Sequence, residues 1–243
     1  MSKMENRVAI VTGAASGMGK AIAKCFLKEG CRVVGFSLES NCDIQHENFS
    51  YHSGDIQSYE QVKIFVDTVY KEYGKIDALV NSAGITREGT LETTSSEEFQ
   101  LAFGVNTLGT FHMCKATIGY LKKQPSTIVN ISSNMAIKAI PERIAYNPSK
   151  AAVNMLTECI AVDYAPMVRA NTVMPGIVKT PMIEKRLDEA EEPEALLKLY
   201  ASFYPLERIG EVQDITKAVL FLSTAESDWM TGTHLPVCGG DQL

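Results

Sequence analysis

The 243-residue sequence lacks the features of several large classes of protein. No apolar stretch approaches ~18 residues, the length that crosses a bilayer, so we expect no membrane span. The six cysteines include no Cys-x-x-Cys pair and no zinc-like spacing, which favours a reduced chain without a metal site. Positive charge is scarce, with 23 Lys and Arg against 29 Asp and Glu, which argues against nucleic acid as a partner. With no signal-peptide pattern at its start, we expect a cytoplasmic protein.

The residues that are present follow an alternating pattern of short apolar runs and longer segments with helical period. Hydrophobic residues make up 45% and charged residues 21%, an ordinary globular composition. The pattern predicts strands at 8–11, 32–36, 49–52, 77–80, 127–131, 168–173 and 235–237. It predicts a helix between the first two strands that stops at Gly30, and helices at 59–73, over 95–120 as two helices or one broken helix, at 146–165 and at 211–223. This alternation indicates an α/β fold, a doubly wound parallel sheet of about seven strands with helices on both faces. We expect one domain over residues 1–243.

A glycine-rich segment joins the first predicted strand to the first predicted helix. It reads Thr-Gly-Ala-Ala-Ser-Gly-Met-Gly over residues 12–19. Glycines let the backbone approach a pyrophosphate, and a helix N-terminus offers free N–H groups and the positive end of its dipole. Glycine also serves ordinary tight turns, so the segment alone is weak evidence for a nucleotide site.

A second segment of small residues, Asn81-Ser82-Ala83-Gly84, follows the fourth predicted strand. The carboxyl ends of the strands face the ligand crevice in a doubly wound sheet, and small residues there permit close approach of a ring. A plain turn at the end of a strand would have the same composition.

Tyr146 and Lys150 are spaced to share one face of a helix that begins near Tyr146. An ammonium near a phenol lowers the phenol pKa from ~10, which suits a general acid or base. Ser133 lies thirteen residues upstream, at the carboxyl end of the fifth strand, where a hydroxyl can bond a substrate oxygen. Taken one at a time, these residues have simpler explanations. Tyr146 and Lys150 could be solvated side chains, and Ser132 and Ser133 could belong to an ordinary turn.

The order, spacing and strand context of these four features together resemble the short-chain dehydrogenase/reductase family, in its compact branch. The resemblance runs from Val8 to Leu243 and includes a Pro-Gly pair after the sixth strand and a closing Gly239-Gly240. It implies a Rossmann-type fold, a nicotinamide cofactor, and hydride transfer between that cofactor and a secondary alcohol or carbonyl compound. It also implies a homotetramer.

The resemblance implies four catalytic residues. Tyr146 matches the general acid/base, and Lys150 matches the residue that lowers the pKa of Tyr146 and binds the nicotinamide ribose. Ser133 matches the serine that orients the substrate oxygen, with Ser132 as the alternative. Asn106 matches the asparagine that holds a water in the proton relay.

The resemblance also implies a set of cofactor contacts, assigned by the part of the dinucleotide each would touch. They are Gly13, Ser16, Gly17, Met18 and Gly19 for the pyrophosphate, Ser37 for the adenosine ribose, Asp55 for adenine, Asn81, Ala83 and Gly84 for adenosine and ribose, and Ile177 and Thr180 for the nicotinamide carboxamide. Ile56, Tyr146, Lys150, Pro175 and Gly176 are further expected cofactor contacts.

The sequence departs from the family pattern where NAD and NADP are distinguished. Ser37 stands where NAD-preferring members carry an acid, and Leu38 and Ser16 stand where NADP-preferring members carry Lys or Arg. Residues 33–62 contain no Lys or Arg but five acidic residues, which disfavours a 2′-phosphate. The sequence therefore favours NAD(H). NADP(H) remains an alternative, because the Ser37 hydroxyl or the Lys20 ammonium could bind a 2′-phosphate.

The amphipathic segment 181–204 is expected to form a lid over an apolar substrate pocket. Met135, Ile137 and Ile140 would line the opposite wall. Arg87, Lys138 and Arg143 are cations that could meet a carboxylate or remain solvated at the surface. Two other classes of function stay open: a non-catalytic nicotinamide-binding scaffold or redox sensor, which need not retain the catalytic residues, and a nucleotide-sugar epimerase, for which the chain is short.

We expect the purified protein to bind NADH more tightly than NADPH, because acidic residues near the end of the second strand repel a 2′-phosphate. The measurement is a titration with each dinucleotide, followed by nicotinamide fluorescence. Tighter binding of NADPH would contradict the charge argument, and binding of neither would favour a scaffold.

Overall fold

The computed structural model describes residues 2–241 and contains a seven-stranded parallel sheet at its centre. Met1, Gln242 and Leu243, at the ends of the predicted domain, lie outside the described residues. The strands are β1 (Val8–Thr12), β2 (Arg32–Ser37), β3 (Phe49–Ser53), β4 (Ala78–Asn81), β5 (Ser126–Ile131), β6 (Val168–Pro175), β7 (Val178–Lys179), β8 (Gly210–Glu211) and β9 (His234–Val237). The sheet order is β3-β2-β1-β4-β5-β6-β9, and β7 pairs with β8 separately. The predicted doubly wound fold is confirmed.

Eight α-helices occur in the described part of the chain. They are α1 (Gly17–Lys28), α2 (Tyr59–Tyr73), α3 (Ser96–Phe103), α4 (Gly109–Leu121), α5 (Tyr146–Tyr164), α6 (Pro181–Asp188), α7 (Pro193–Ser202) and α8 (Val212–Leu222). A π-helical turn, Gly104–Leu108, joins α3 to α4, so the region 95–120 is two helices with an irregular junction. Within residues 2–241, no helix combines the length and the apolar character needed to cross a bilayer.

Alternate residues of each central strand face opposite layers of helices, because side chains of a strand point to opposite faces in turn. On one face, Ala9 and Val11 pack with the apolar sides of α1 and α8. On the other face, Val8 and Ile10 pack with α2, α4 and α5. Burial on both faces explains why these strands are continuous apolar runs in the sequence.

Two features of the fold have no clear signal in the sequence. Strands β7 and β8 pair over two residues each, which is too short for a hydrophobic period to form. Strands β2 and β3 pair in parallel although no helix lies between them. The intervening segment is polar and short, so its connection follows the sheet edge without packing a helix onto it.

We expect Ile10→Ala to lower the free energy of unfolding by about 2–5 kcal/mol, because Ile10 is fully buried in the central strand and its loss leaves a cavity. The matched control is Ile64→Ala on the exposed side of α2, which should change it by less than about 0.5 kcal/mol. Chemical denaturation measures both. An equal loss of stability in both variants would contradict the burial of Ile10 in the central strand.

Candidate active site

The loops that follow β1 and β4 meet where the strand order reverses. Strand β1 pairs with β2 on one side and with β4 on the other, so a crevice opens beyond their carboxyl ends. The Thr12 hydroxyl accepts the backbone N–H groups of Ser82 and Ala83, both at 3.0 Å. This side chain therefore holds the two loops together at the switch point.

The glycine-rich segment is shaped by close backbone contacts. Gly13 has φ +68°, and a Cβ there would lie 3.0 Å from the Cα of Ala83. A Cβ on Gly19 would lie 2.2 Å from the carbonyl oxygen of Gly13, a distance no side chain tolerates. The glycines thus allow the turn to fold back on the first turn of α1 and to pack against the β4 loop.

The N-terminus of α1 points its unpaired N–H groups toward the crevice. Its N-cap, Ser16, is extended and makes no side-chain capping bond, and the first turn contains no acidic residue. Both observations leave the positive end of the helix dipole uncompensated by this segment's own side chains. An anion is the ligand that such a terminus favours.

A cleft of about 500 Å³ runs from the end of β2 to the start of α5. Most of the predicted cofactor contacts line it: Gly13, Ser16, Gly17, Met18, Gly19, Ser37, Asp55, Ile56, Ala83, Gly84, Tyr146, Lys150 and Thr180. Gly176 and Ile177 line an adjoining pocket instead. Pro175 and Asn81 line neither of these two cavities.

The prediction for Asn81 differs from its position in the structure. Its side chain is buried between the sheet and α4, where its amide donates to Asn130 Oδ1 at 2.8 Å and to Cys114 Sγ at 3.4 Å. Asn81 therefore braces neighbouring strands, because the last residue of β4 points into the helix layer and only the residues after it reach the cleft.

The adjoining pocket has a volume of about 590 Å³ and lies between the segment after β5 and helices α6 and α7. It shares five residues with the cleft: Met18, Thr86, Tyr146, Thr180 and Met182. Met135 and Ile140 line it as expected, but Ile137 is 60% exposed and turned away from both cavities.

Tyr146 begins α5 and lies at the junction of the cleft and the pocket. Burial raises the pKa of its phenol, while a hydrogen bond with Ser133 and the charge of Arg143 act in the opposite direction. We expected Lys150 to lower this pKa. In the structure the Lys150 ammonium is 5.9 Å from the ring centroid, and the opposing influences come from Ser133 and Arg143.

Lys150 is almost completely buried, with 5% of its surface exposed. Its Nζ donates to the carbonyl oxygen of Ile131 at 2.9 Å, which leaves two of its three N–H bonds for other acceptors. Burial lowers its pKa from 10.5 to about 8. A Cβ on Gly84 would lie 3.2 Å from this nitrogen, so the glycine leaves room for the ammonium at the floor of the cleft.

Asn106 lies within the π-helical turn and is fully buried. Its Oδ1 accepts the N–H of Ile85 at 2.9 Å, and its Nδ2 donates to the Ile85 carbonyl and to Ser149 Oγ. Ser149 donates in turn to the Tyr146 carbonyl. Both amide hydrogens are used within the protein, so a water in a proton path would have to bond to an oxygen of Asn106.

Some residues at the site were not predicted from the sequence. Thr86 lines both cavities and Arg186 lines the pocket. Tyr204 also lines the pocket, and its hydroxyl oxygen accepts the N–H of Ile177 at 2.6 Å. Thr86 could have been predicted from the sequence, because it lies two residues beyond the small-residue segment 81–84. Arg186 could not, because the helical pattern of segment 181–204 indicates only which of its residues form an apolar side.

The end of the cleft at β2 is acidic. Ser37 Oγ accepts the Ala15 N–H at 3.2 Å, and Glu39 lines the wall beside it. Lys20, the cation that could have turned toward this end, forms an ion pair with Asp43 at 2.6 Å. Acidic side chains therefore line this end of the cleft, as the sequence predicts.

Comparisons with known proteins agree with the motifs. The family model described as enoyl-(acyl carrier protein) reductase matches residues 13–241. The chain is 35% identical to the 3-oxoacyl-[acyl-carrier-protein] reductase FabG of Thermotoga maritima, over 98% of each chain. It resembles the ligand-free structure of Thermoplasma acidophilum aldohexose dehydrogenase with a TM-score of 0.94 and 36% identity, covering 99% of this chain and 96% of that one. It also resembles ElxO with NADP bound, with a TM-score of 0.91 and 31% identity, covering 97% and 98%. The chain belongs to the short-chain dehydrogenase/reductase family of oxidoreductases.

Proposed function

We propose that the protein is a NAD(P)-dependent oxidoreductase that interconverts a secondary alcohol and its carbonyl compound, on a small or medium apolar substrate. One observation carries the proposal: Tyr146 lines both the cleft and the pocket. A phenol at that junction reaches a substrate oxygen in the pocket while the carbon beside that oxygen faces the cleft. This is the arrangement that a general acid/base in hydride transfer requires.

The cleft suits a nicotinamide dinucleotide. The tight glycine turn and the N-terminus of α1 fit a pyrophosphate, and Ala83 and Gly84 leave room for a flat group. When bound, the nicotinamide accepts or donates the hydride. The NADP in the ElxO structure supports this class of cofactor for a chain of the same fold.

Charge at the β2 end of the cleft supports NAD(H) over NADP(H). Glu39 and Asp55 line this end, and Lys20 is already paired with Asp43. A 2′-phosphate with nearly two negative charges would meet these carboxylates without a cation to compensate them. NADP(H) remains the alternative, since ElxO binds it with the same fold.

The proposed roles follow from the positions of the side chains. In oxidation, the Tyr146 phenolate takes the proton of the substrate hydroxyl as the carbon gives up its hydride, and in reduction the phenol returns it. The Ser133 hydroxyl, which lies close enough to Tyr146 to act on its pKa, orients the substrate oxygen. The two unused N–H bonds of Lys150 suit ribose hydroxyls. Asn106 holds α5 against the β4 loop and, through an oxygen atom, a water of the proton relay.

We further propose one domain with a lid formed by α6 and α7, and a homotetramer. Helices α4 and α5 carry exposed apolar side chains, among them Phe111, Met155 and Val162. Burial of these faces against copies of the chain would remove apolar surface from water.

We expect Tyr146→Phe to lower kcat by at least ~100-fold and to leave dinucleotide affinity within about threefold, because only the proton-transferring oxygen is removed. Tyr73→Phe, at the end of α2 and outside both cavities, is the matched control and should keep wild-type kcat. Single-turnover absorbance at 340 nm and dinucleotide titration separate the two effects. Unchanged turnover in Tyr146→Phe would contradict the assignment.

We expect the stability difference between the wild type and Lys150→Met to depend on pH. Since burial lowers the pKa of Lys150 to about 8, the unfolded chain holds more protons than the folded chain between pH 8 and 10.5. Wild-type stability relative to the variant should therefore rise across this range, by up to about 3 kcal/mol. Urea denaturation at a series of pH values measures the difference, and a flat difference would mean that the ammonium is not desolvated.

A further inference from the structure

The wall of the substrate pocket carries more positive than negative charge. Its charged lining residues are Lys138, Arg143, Arg186 and Asp241. One cation is fully paired: Lys138 donates to the Asp241 carboxylate at 2.8 Å and also to its carbonyl oxygen. Asp241 accepts a further bond from the Asn134 amide. This pair is neutral and leaves the two arginines to be accounted for.

Arg143 and Arg186 share a single carboxylate. Both guanidinium groups donate to the same oxygen, Oε1 of Glu88, which Arg143 contacts at 2.9 Å. Two positive charges thus meet one negative charge, so one remains uncompensated. Arg143 has only 14% of its side chain exposed, and Arg186 has 37%.

Most N–H donors of the two arginines have no acceptor in the described part of the chain. Each guanidinium carries five donors. Besides Glu88, Arg143 donates to the Glu142 carbonyl, and Arg186 lies beside the Tyr200 hydroxyl. A surface ion pair would need only one arginine for one carboxylate. Here two arginines converge on one carboxylate from different elements, the loop before α5 and helix α6, and both line the pocket.

Much of the remaining lining of the pocket is apolar. Met135, Ile140, Ile183 and Phe203 line it. Arg143 lies three residues before Tyr146, close enough for its charge to act on the phenol. The pocket therefore combines Tyr146 and two arginines with an apolar lining.

We propose that the substrate carries an anionic group, a carboxylate in the simplest case, joined by an apolar segment to the carbon that bears the reacting oxygen, and that Arg143 and Arg186 bind this group. The inference rests on the proposed function for the position of the reacting oxygen and adds the charge of the substrate. Arginine forms paired, charge-assisted hydrogen bonds to carboxylates, which are stronger than those between neutral groups. Before the anion binds, Glu88 would neutralise one of the two positive charges and compete with the anion for both arginines.

The first experiment measures binding without turnover. Hexanoate and hexanamide have the same length and differ in charge, and each is titrated into the wild-type protein by calorimetry. We expect hexanoate to bind about tenfold more tightly than hexanamide. Arg186→Gln should reduce this ratio to nearly one. The matched control is Lys185→Gln, which removes the same charge from the adjacent position of α6, at a side chain that is 77% exposed, and should keep the wild-type ratio.

A second variant tests the same site by gain of affinity. Glu88→Gln removes the carboxylate that competes for the two arginines, so hexanoate should bind several-fold more tightly than to the wild type while hexanamide is unchanged. Higher salt should weaken hexanoate binding alone. Equal binding of the two probes to the wild type, or a preference for hexanoate that persists in Arg186→Gln, would overturn the proposal.

Turnover distinguishes this inference from the proposed function. With NAD⁺ or NADP⁺, 5-hydroxyhexanoate should be oxidised with higher kcat/KM than 5-hydroxyhexanamide, and Arg186→Gln should remove the difference mainly through KM. Turnover of both compounds at equal kcat/KM would overturn the charge assignment and leave the oxidoreductase intact. Preferential binding of hexanoate with no oxidation of either compound would support the anion site and count against the proposed reaction.

Discussion

The contact between the loops after β1 and β4 is the constraint on which the rest of the site depends. The Thr12 hydroxyl holds two N–H groups of the β4 loop, and Gly13 lets the backbones come together. Gly84, in the same loop, lies against Asn106 and Lys150. One chain of contacts therefore runs from the glycine-rich turn through the β4 loop to α5, and it sets the distance between the N-terminus of α1 and the start of α5.

Much of the fold could be predicted because its signals are local. Each central strand is buried on both faces and is therefore an apolar run, and helix α2 has the bounds that its period predicts. Strands β7 and β8 could not be predicted, since two residues have no period. Asn81 and Ile137 show a second limit: a motif locates a segment at the site, but the facing of each side chain depends on how neighbouring elements pack.

The electrostatics of the site could be predicted from the sequence even less well than the facing of its side chains. The spacing of Tyr146 and Lys150 correctly indicates a shared helix, since both belong to α5. Spacing does not give the distance from an ammonium to a phenol oxygen, nor does it identify Arg143 as the cation that acts on Tyr146. Burial of Lys150 is likewise a property of the elements around it, which the sequence does not reveal.

The division of the two cavities along the chain has a consequence for how such a protein can diversify. The cleft is built mostly from the first half of the chain, whereas the pocket wall comes mostly from residues 133–143 and 176–204. Only five residues belong to both. Mutations can therefore accumulate in the later segments and change which molecules are accepted while the dinucleotide half stays intact. The relatives fit this division. Two proteins that are each about 35% identical to this chain are named as a 3-oxoacyl-[acyl-carrier-protein] reductase and an aldohexose dehydrogenase.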